Sequence, residues 1–114
     1  MPKKVNISII IVNYKVLKEL LRCIGSIYKT SSDLSFEIIV VDNDEVKTIE
    51  KSLKAKYPKV HYVPSEKNVG WGAGVNIGVE HAKGEYLYFL NPDTVLLPRA
   101  LNYLYDFARY QKKI

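Results

Sequence analysis

The chain has a single cysteine, Cys23, so no disulfide can form within it, and a reducing compartment is the expectation. Cys23 falls beside the apolar stripe of a predicted helix, where a buried, inert thiol is expected rather than a nucleophile. Apolar runs are short, and nothing approaches the roughly 18 residues needed to span a bilayer. The block Ile9–Val12 is too short for a secretory leader and lacks a cleavage pattern. A cytoplasmic protein is the expectation, with peripheral contact with a membrane surface left open. Repeats, linkers and low-complexity segments are missing, so the 114 residues read as one domain with a real core. No glycine follows the first predicted strand, where Asn13-Tyr14-Lys15 stand instead. That argues against a nicotinamide-dinucleotide fold, whose fingerprint belongs there. Nor does an acidic pair stand there, or a fifth strand with a nearby lysine follow, as a signalling receiver domain requires.

Charge of one sign is scarce where it matters. The net charge is +5, yet residues 31–96 carry ten acidic and seven basic side chains. The bases collect toward the two ends. Such a distribution fits a solvated surface, or one near anionic lipid, better than a nucleic-acid stripe, and no nucleic-acid partner is expected.

What is present alternates. Val5–Val12 reads as a buried strand, and Leu17, Leu20, Leu21, Ile24 and Tyr28 recur at helical spacing up to Lys29–Ser32. Phe36–Val41 is a second strand. Val46, Ile49, Leu53 and Tyr57 mark a narrower helix closed by Pro58. Val60–Val63 is a short strand nearer an edge, Val75–Ala82 a short helix with Gly84 as its C-terminal cap, and Tyr86–Leu90 a strand apolar on both faces. Pro98–Gln111 closes the series. The order β-α-β-α-β-α-β-α predicts an α/β, three-layer, Rossmann-like, mostly parallel sheet with right-handed crossovers.

Parallel strands bring Asn13, Asp42 and Asp93 to one edge, the one outside which open α/β sheets bind ligands. Pro92 ends the last strand and presents Asp93, whose carboxylate can hold Mg²⁺ or Mn²⁺ that bridges to phosphate oxygens. The alternative is a turn aspartate bonding nearby amides. An acid at the position of Asp42 can bond a ribose hydroxyl, or equally serve as an Asx-turn or helix cap. The stretch from Asn68 to Gly78 is glycine-rich and opens a helix whose N-terminus favours anions. The plain reading of Trp71 is core packing.

Four motifs in this order resemble the family-2 glycosyltransferases, nearest their rhamnosyltransferase-like members. They are the strand ending Asn13-Tyr14, Val40-Val41-Asp42-Asn43, the Asn68-x-Gly70-Trp71-Gly72-x-Gly74-x-Asn76-x-Gly78 segment, and Leu90-Asn91-Pro92-Asp93-Thr94. The resemblance spans residues 7 to about 101. It implies the nucleotide-sugar-binding (GT-A) fold with strand order 3-2-1-4, a nucleotide-diphosphate sugar as ligand, a divalent cation, and inverting transfer to an acceptor hydroxyl. Asn13 and Asp42 would then contact the nucleoside, while Asn68, Gly70 and Asn76 shape the donor pocket. Asn91-Pro92-Asp93 would stand where the family has an Asp-x-Asp-type motif, so the metal role falls on Asp93 alone. Only Asp106 follows Asp93, and no catalytic base is assigned. The chain is therefore expected to be the donor-binding half of such an enzyme, with a non-catalytic nucleotide-sugar-binding or assembly module as the alternative. In the last helix Leu97, Leu101, Leu104, Tyr105 and Ala108 form one stripe and Tyr103, Phe107 and Tyr110 a second. That second stripe predicts a homodimer through this helix.

Overall fold

Two β-branched runs make the middle of the sheet. In a computed structural model, which describes residues 4–31 and 33–112, they are β1 (Ile7–Asn13) and β2 (Phe36–Asp42). They pair in parallel with Ile7 opposite Phe36 and Asn13 opposite Asp42. β3 (His61–Pro64) and β4 (Tyr86–Phe89) flank them, giving the expected order β3-β2-β1-β4, all parallel. The helices are α1 (Leu17–Thr30), α2 (Glu50–Lys56), α3 (Gly70–His81) and α4 (Ala100–Lys112). Ser32, at the expected end of the first helix, lies outside the described residues.

The two faces of the sheet are covered unequally. Ile7, Ile9, Ile11, Ile38 and Val40 point to the side where α1 supplies Leu20, Ile24 and Ile27, α2 supplies Leu53, and α4 supplies Leu101. Ile10, Val12, Ile39 and Val41 point to the other side, beneath α3 alone, with Val75 and Val63. Each fully buried isoleucine contributes about 1.5–3 kcal/mol of transfer free energy, so β1 and β2 are the thermodynamic centre of the fold. α3 lies close on the sheet because two of the residues that touch it, Gly74 and Gly78, have no side chain. A Cβ on Gly78 would stand 2.5 Å from Ile10 Cγ2, and one on Gly74 would stand 3.0 Å from Val12 Cγ1.

Several sequence expectations are corrected. The glycine-rich segment is itself the first turns of α3, which starts at Gly70 rather than Val75. Gly70 (φ 82°) supplies the turn into it. Gly84 is not a left-handed cap: α3 ends with Ala82 in an extended conformation. Gly84 instead brings the chain onto β1, where its N–H donates to Ser8 Oγ at 2.7 Å and a Cβ would meet Ser8 N at 2.5 Å. β4 is covered on one face only. Tyr86 and Tyr88 pack on the α1/α4 side, but Leu87 and Phe89 are 42% and 43% exposed. α3 packs chiefly on β1 and β2. Val46 is exposed and lies outside α2, which begins at Glu50, and Leu97 and Leu104 are exposed although they belong to the predicted inner stripe of α4.

Candidate functional site at the carboxyl edge of the sheet

The register that sets Asn13 opposite Asp42 also ties their side chains together. Asn13 Nδ2 donates to Asp42 Oδ1 at 3.3 Å, and both residues are fully buried. The opposite amide orientation would set two acceptors against each other, so the carboxylate fixes it. It leaves Asn13 Oδ1 buried with no partner. Asp42 Oδ1 also accepts from Asp44 N at 3.1 Å, the Asx-turn, while Oδ2 accepts from the Tyr62 hydroxyl at 2.6 Å. The Asp42 carbonyl receives Lys47 Nζ at 2.8 Å and both N and Oγ of Ser65 at 3.0 Å. Burial first, and then the bond to Asp42, push the Tyr62 phenol above its ordinary value, so it stays a donor.

The same network fixes the start of α3. Asn43 Nδ2 donates to the Gly70 carbonyl at 2.9 Å, and Asn43 Oδ1 lies 2.9 Å from Ser65 Oγ, whose one proton it shares with the Asp42 carbonyl. Asn68 Oδ1 accepts from Gly70 N at 3.0 Å. Asn68 thus shapes the turn into α3, whereas Asn76 is exposed on the helix, off the side formed by Gly74 and Gly78. Trp71 is not a core residue; it is exposed at the first turn.

Asn91 and Asp93 lie in the turn after β4, both exposed. The Asn91 carbonyl accepts from Thr94 N at 3.1 Å and from Thr94 Oγ1 at 2.7 Å. Cys23, buried in α1 as expected, sits under this turn, its Sγ 3.8 Å from both the Asn91 carbonyl and Thr94 Oγ1. Burial pushes its thiol up, and the neighbouring Asp93 adds to the shift. Lys15, just past Asn13, holds the left-handed conformation (φ 59°) that few non-glycine residues adopt. Among the described residues, no group of three His, Cys, Asp or Glu side chains is placed to hold a metal. Asp93 stands as a lone exposed carboxylate.

Tyr62, Ser65 and Lys47 were not marked by the sequence, and Asn43 stood in a motif without a role. Tyr62 becomes visible only with the register, which pairs it with Val40 and so sets it diagonally from Asp42 on the same face.

An open parallel sheet with helices on both faces and polar side chains at its strand ends is the architecture of ligand-binding α/β domains. The sequence model described as Glycosyl transferase family 2 matches residues 8–114, and the chain belongs to that family. It is 30% identical over 115 residues to an uncharacterized glycosyltransferase of Methanocaldococcus jannaschii, covering 95% of this chain and 39% of that protein. It is 32% identical over 109 residues to the poly(ribitol-phosphate) beta-N-acetylglucosaminyltransferase TarP of Staphylococcus aureus, covering 90% and 33%. The fold is similar to residues 1–349 of S. aureus TarS in complex with UDP, with a TM-score of 0.78, 22% identity, and 92% and 32% coverage. The same protein with UDP-GlcNAc gives a TM-score of 0.76 at 24% identity, covering 92% and 31%. The sheet is that of the GT-A, Rossmann-like fold. The chain spans two fifths or less of the length of each of these two relatives.

Proposed function

We propose that this chain binds a nucleotide-diphosphate sugar at the carboxyl edge of its sheet, as the donor-binding half of an inverting glycosyltransferase. The observation that carries the reading is the buried Asn13–Asp42 pair, whose Asn13 Oδ1 is an acceptor without a partner at the strand ends. Ser31 Oγ and Asn102 Oδ1 are also buried without a partner; what sets Asn13 apart is its place at the strand ends, outside which open α/β sheets bind ligands. Binding of UDP and UDP-GlcNAc by the similarly folded TarS supports the ligand class. Asn68 and Gly70 shape the pocket wall through the start of α3, with Asn76 behind them.

Asp93 offers a hard oxygen donor in an exposed turn, beside the amide of Asn91. One carboxylate suits Mg²⁺ or Mn²⁺, which usually keep several waters and take one or two carboxylates plus phosphate oxygens. Such a cation would supply Lewis-acid neutralisation of charge on the departing diphosphate. In the transfer, the acceptor hydroxyl attacks the anomeric carbon from the side opposite the diphosphate. The new C–O bond forms as the sugar–phosphate bond breaks, and the hydroxyl proton passes to a base. No described residue of this chain is assigned as that base.

Calorimetry with UDP, dTDP and GDP, with and without Mg²⁺, tests the reading. Saturable binding that strengthens with the metal is the expected result; absence of binding to every nucleotide at high concentration overturns it. Donor hydrolysis or transfer by the purified chain separates an enzyme from a binding module. As to partners, the exposed Tyr103, Phe107 and Tyr110 support a two-fold dimer through α4.

A further inference from the structure

We propose that Trp71 is the stacking platform for the nucleobase of the donor, an inference that rests on the nucleotide-sugar reading above. Trp71 is the one tryptophan in the chain and is 54% exposed. Its place in α3 explains why. Residues three and four apart share one side of a helix. On α3 that side meets the sheet: a Cβ on Gly78 would touch Ile10 and Val41, one on Gly74 would touch Val12 and Asn43, and Val75 is buried in the core. Trp71 belongs to the same side, one turn nearer the N-terminus. Gly74 already rests on the last apolar residue of β1, so a turn about 5 Å farther along the axis has no sheet beneath it. Helical side chains lean toward the N-terminus, which carries the indole still farther past the strand ends. The first turn of α3, which carries Trp71, thus stands at the edge where Asn13 and Asp42 close β1 and β2.

The surroundings leave it free and its backbone fixed. A Cβ on Gly70 or Gly72 would find nothing within 4 Å, so neither flank is crowded. The Asn43–Gly70 and Asn68–Gly70 bonds, at 2.9 and 3.0 Å, hold the adjoining peptide. A large aromatic on a fixed backbone with an open face loses little entropy when a flat ligand docks. The sheet order decides which part of the donor that is. α3 packs over β1 and β2, whereas Asp93 follows β4 on the far side of β1. With the diphosphate at Asp93, the group beneath Trp71 is the base.

Because Trp71 is the chain's one tryptophan, its emission reports the contact directly. The chain is titrated with UDP, dTDP and GDP in Mg²⁺, with inorganic pyrophosphate as the base-free control, by fluorescence and calorimetry in parallel. Each nucleotide that binds should quench or shift the emission with the calorimetric Kd, and pyrophosphate should not. Trp71→Leu should weaken nucleotide binding about tenfold or more and leave pyrophosphate binding unchanged, while Trp71→Phe keeps most of the affinity. Calorimetric binding of UDP with unaltered emission, or undiminished affinity in Trp71→Leu, overturns this proposal and leaves the nucleotide-sugar reading intact. Absence of any nucleotide binding to the unmodified chain overturns both.

Discussion

His61 of β3 and His81 at the end of α3 meet edge to face, with ring centres 5.1 Å apart. His81 Nδ1 lies 3.0 Å from the Ile77 carbonyl. Burial holds the His61 imidazole below its ordinary value, with His81, Lys54 and Lys83 adding to the effect and Glu37 opposing it. The unfolded chain therefore takes up this proton more readily than the folded one. The contribution is full above the unfolded imidazole value and is lost as pH falls through the lower folded value. Melting temperature should drop between about pH 7.5 and 5.5, and His61→Gln should flatten part of that drop. An identical pH profile in the variant would show that the pair has no such role.

Asp93→Asn should leave melting behaviour unchanged, because an exposed turn accepts asparagine, and should abolish the Mg²⁺-dependent increment in nucleotide affinity. Paired calorimetric titrations with and without metal measure it. Retention of the increment removes Asp93 from the metal site.

Asp42 is a stability residue as well as a ligand candidate. Asp42→Ala leaves the Tyr62 hydroxyl, Asn13 Nδ2 and Asp44 N without their acceptor and should cost more than about 3 kcal/mol, since each buried donor left unsatisfied costs about 1–3 kcal/mol. Tyr62→Phe removes one donor and should cost about 1–3 kcal/mol. Urea unfolding of both variants checks the ranking, and a milder effect in Asp42→Ala than in Tyr62→Phe would contradict this network.

Two glycines of α3 should respond oppositely to alanine. Gly78→Ala forces a methyl to 2.5 Å from Ile10 Cγ2, an overpacking change that costs about 1–3 kcal/mol. Gly72→Ala meets nothing within 4 Å and should stabilise the helix by up to about 1 kcal/mol. Thermal melts of the pair suffice.

Sedimentation at high micromolar concentration tests the dimer. Phe107, Tyr103 and Tyr110 are each at least 60% exposed, and Phe107→Glu should shift the chain to monomer. A monomer without the substitution, or a dimer indifferent to it, removes α4 from the contact.

Much of this was legible before any coordinates. The β-branched runs of β1 and β2 and the polar strand ends follow from apolar periodicity and the alternation of strands with helices, whereas the strand order came with the family resemblance. The start of α3 did not. Gly70, Gly72 and Gly74 have poor helix propensity, and only the close seating of Gly74 and Gly78 on Val12 and Ile10 shows why a helix forms there. Tyr86–Phe89 reads as covered on both faces because Leu87 and Phe89 are as apolar as Tyr86 and Tyr88. Sequence carries no mark of how far α3 reaches. Tyr62 was missed because its role depends on the residue diagonal to it across the sheet, and Trp71 reads as core because its exposure depends on where the sheet ends beneath α3.

With α3 alone closing the second face of the sheet, the protein has a built-in hierarchy of opening. α3 buries fewer apolar side chains than α1, so its amides should exchange with solvent through a partial opening of lower free energy than global unfolding. That same opening carries Trp71 and the Asn43–Gly70 bond away from the strand ends. Any ligand that bridges α3 to Asn13 and Asp42 must therefore close this fluctuation, and it would appear as slowed deuterium uptake across Gly74–Gly78, well beyond the atoms it touches.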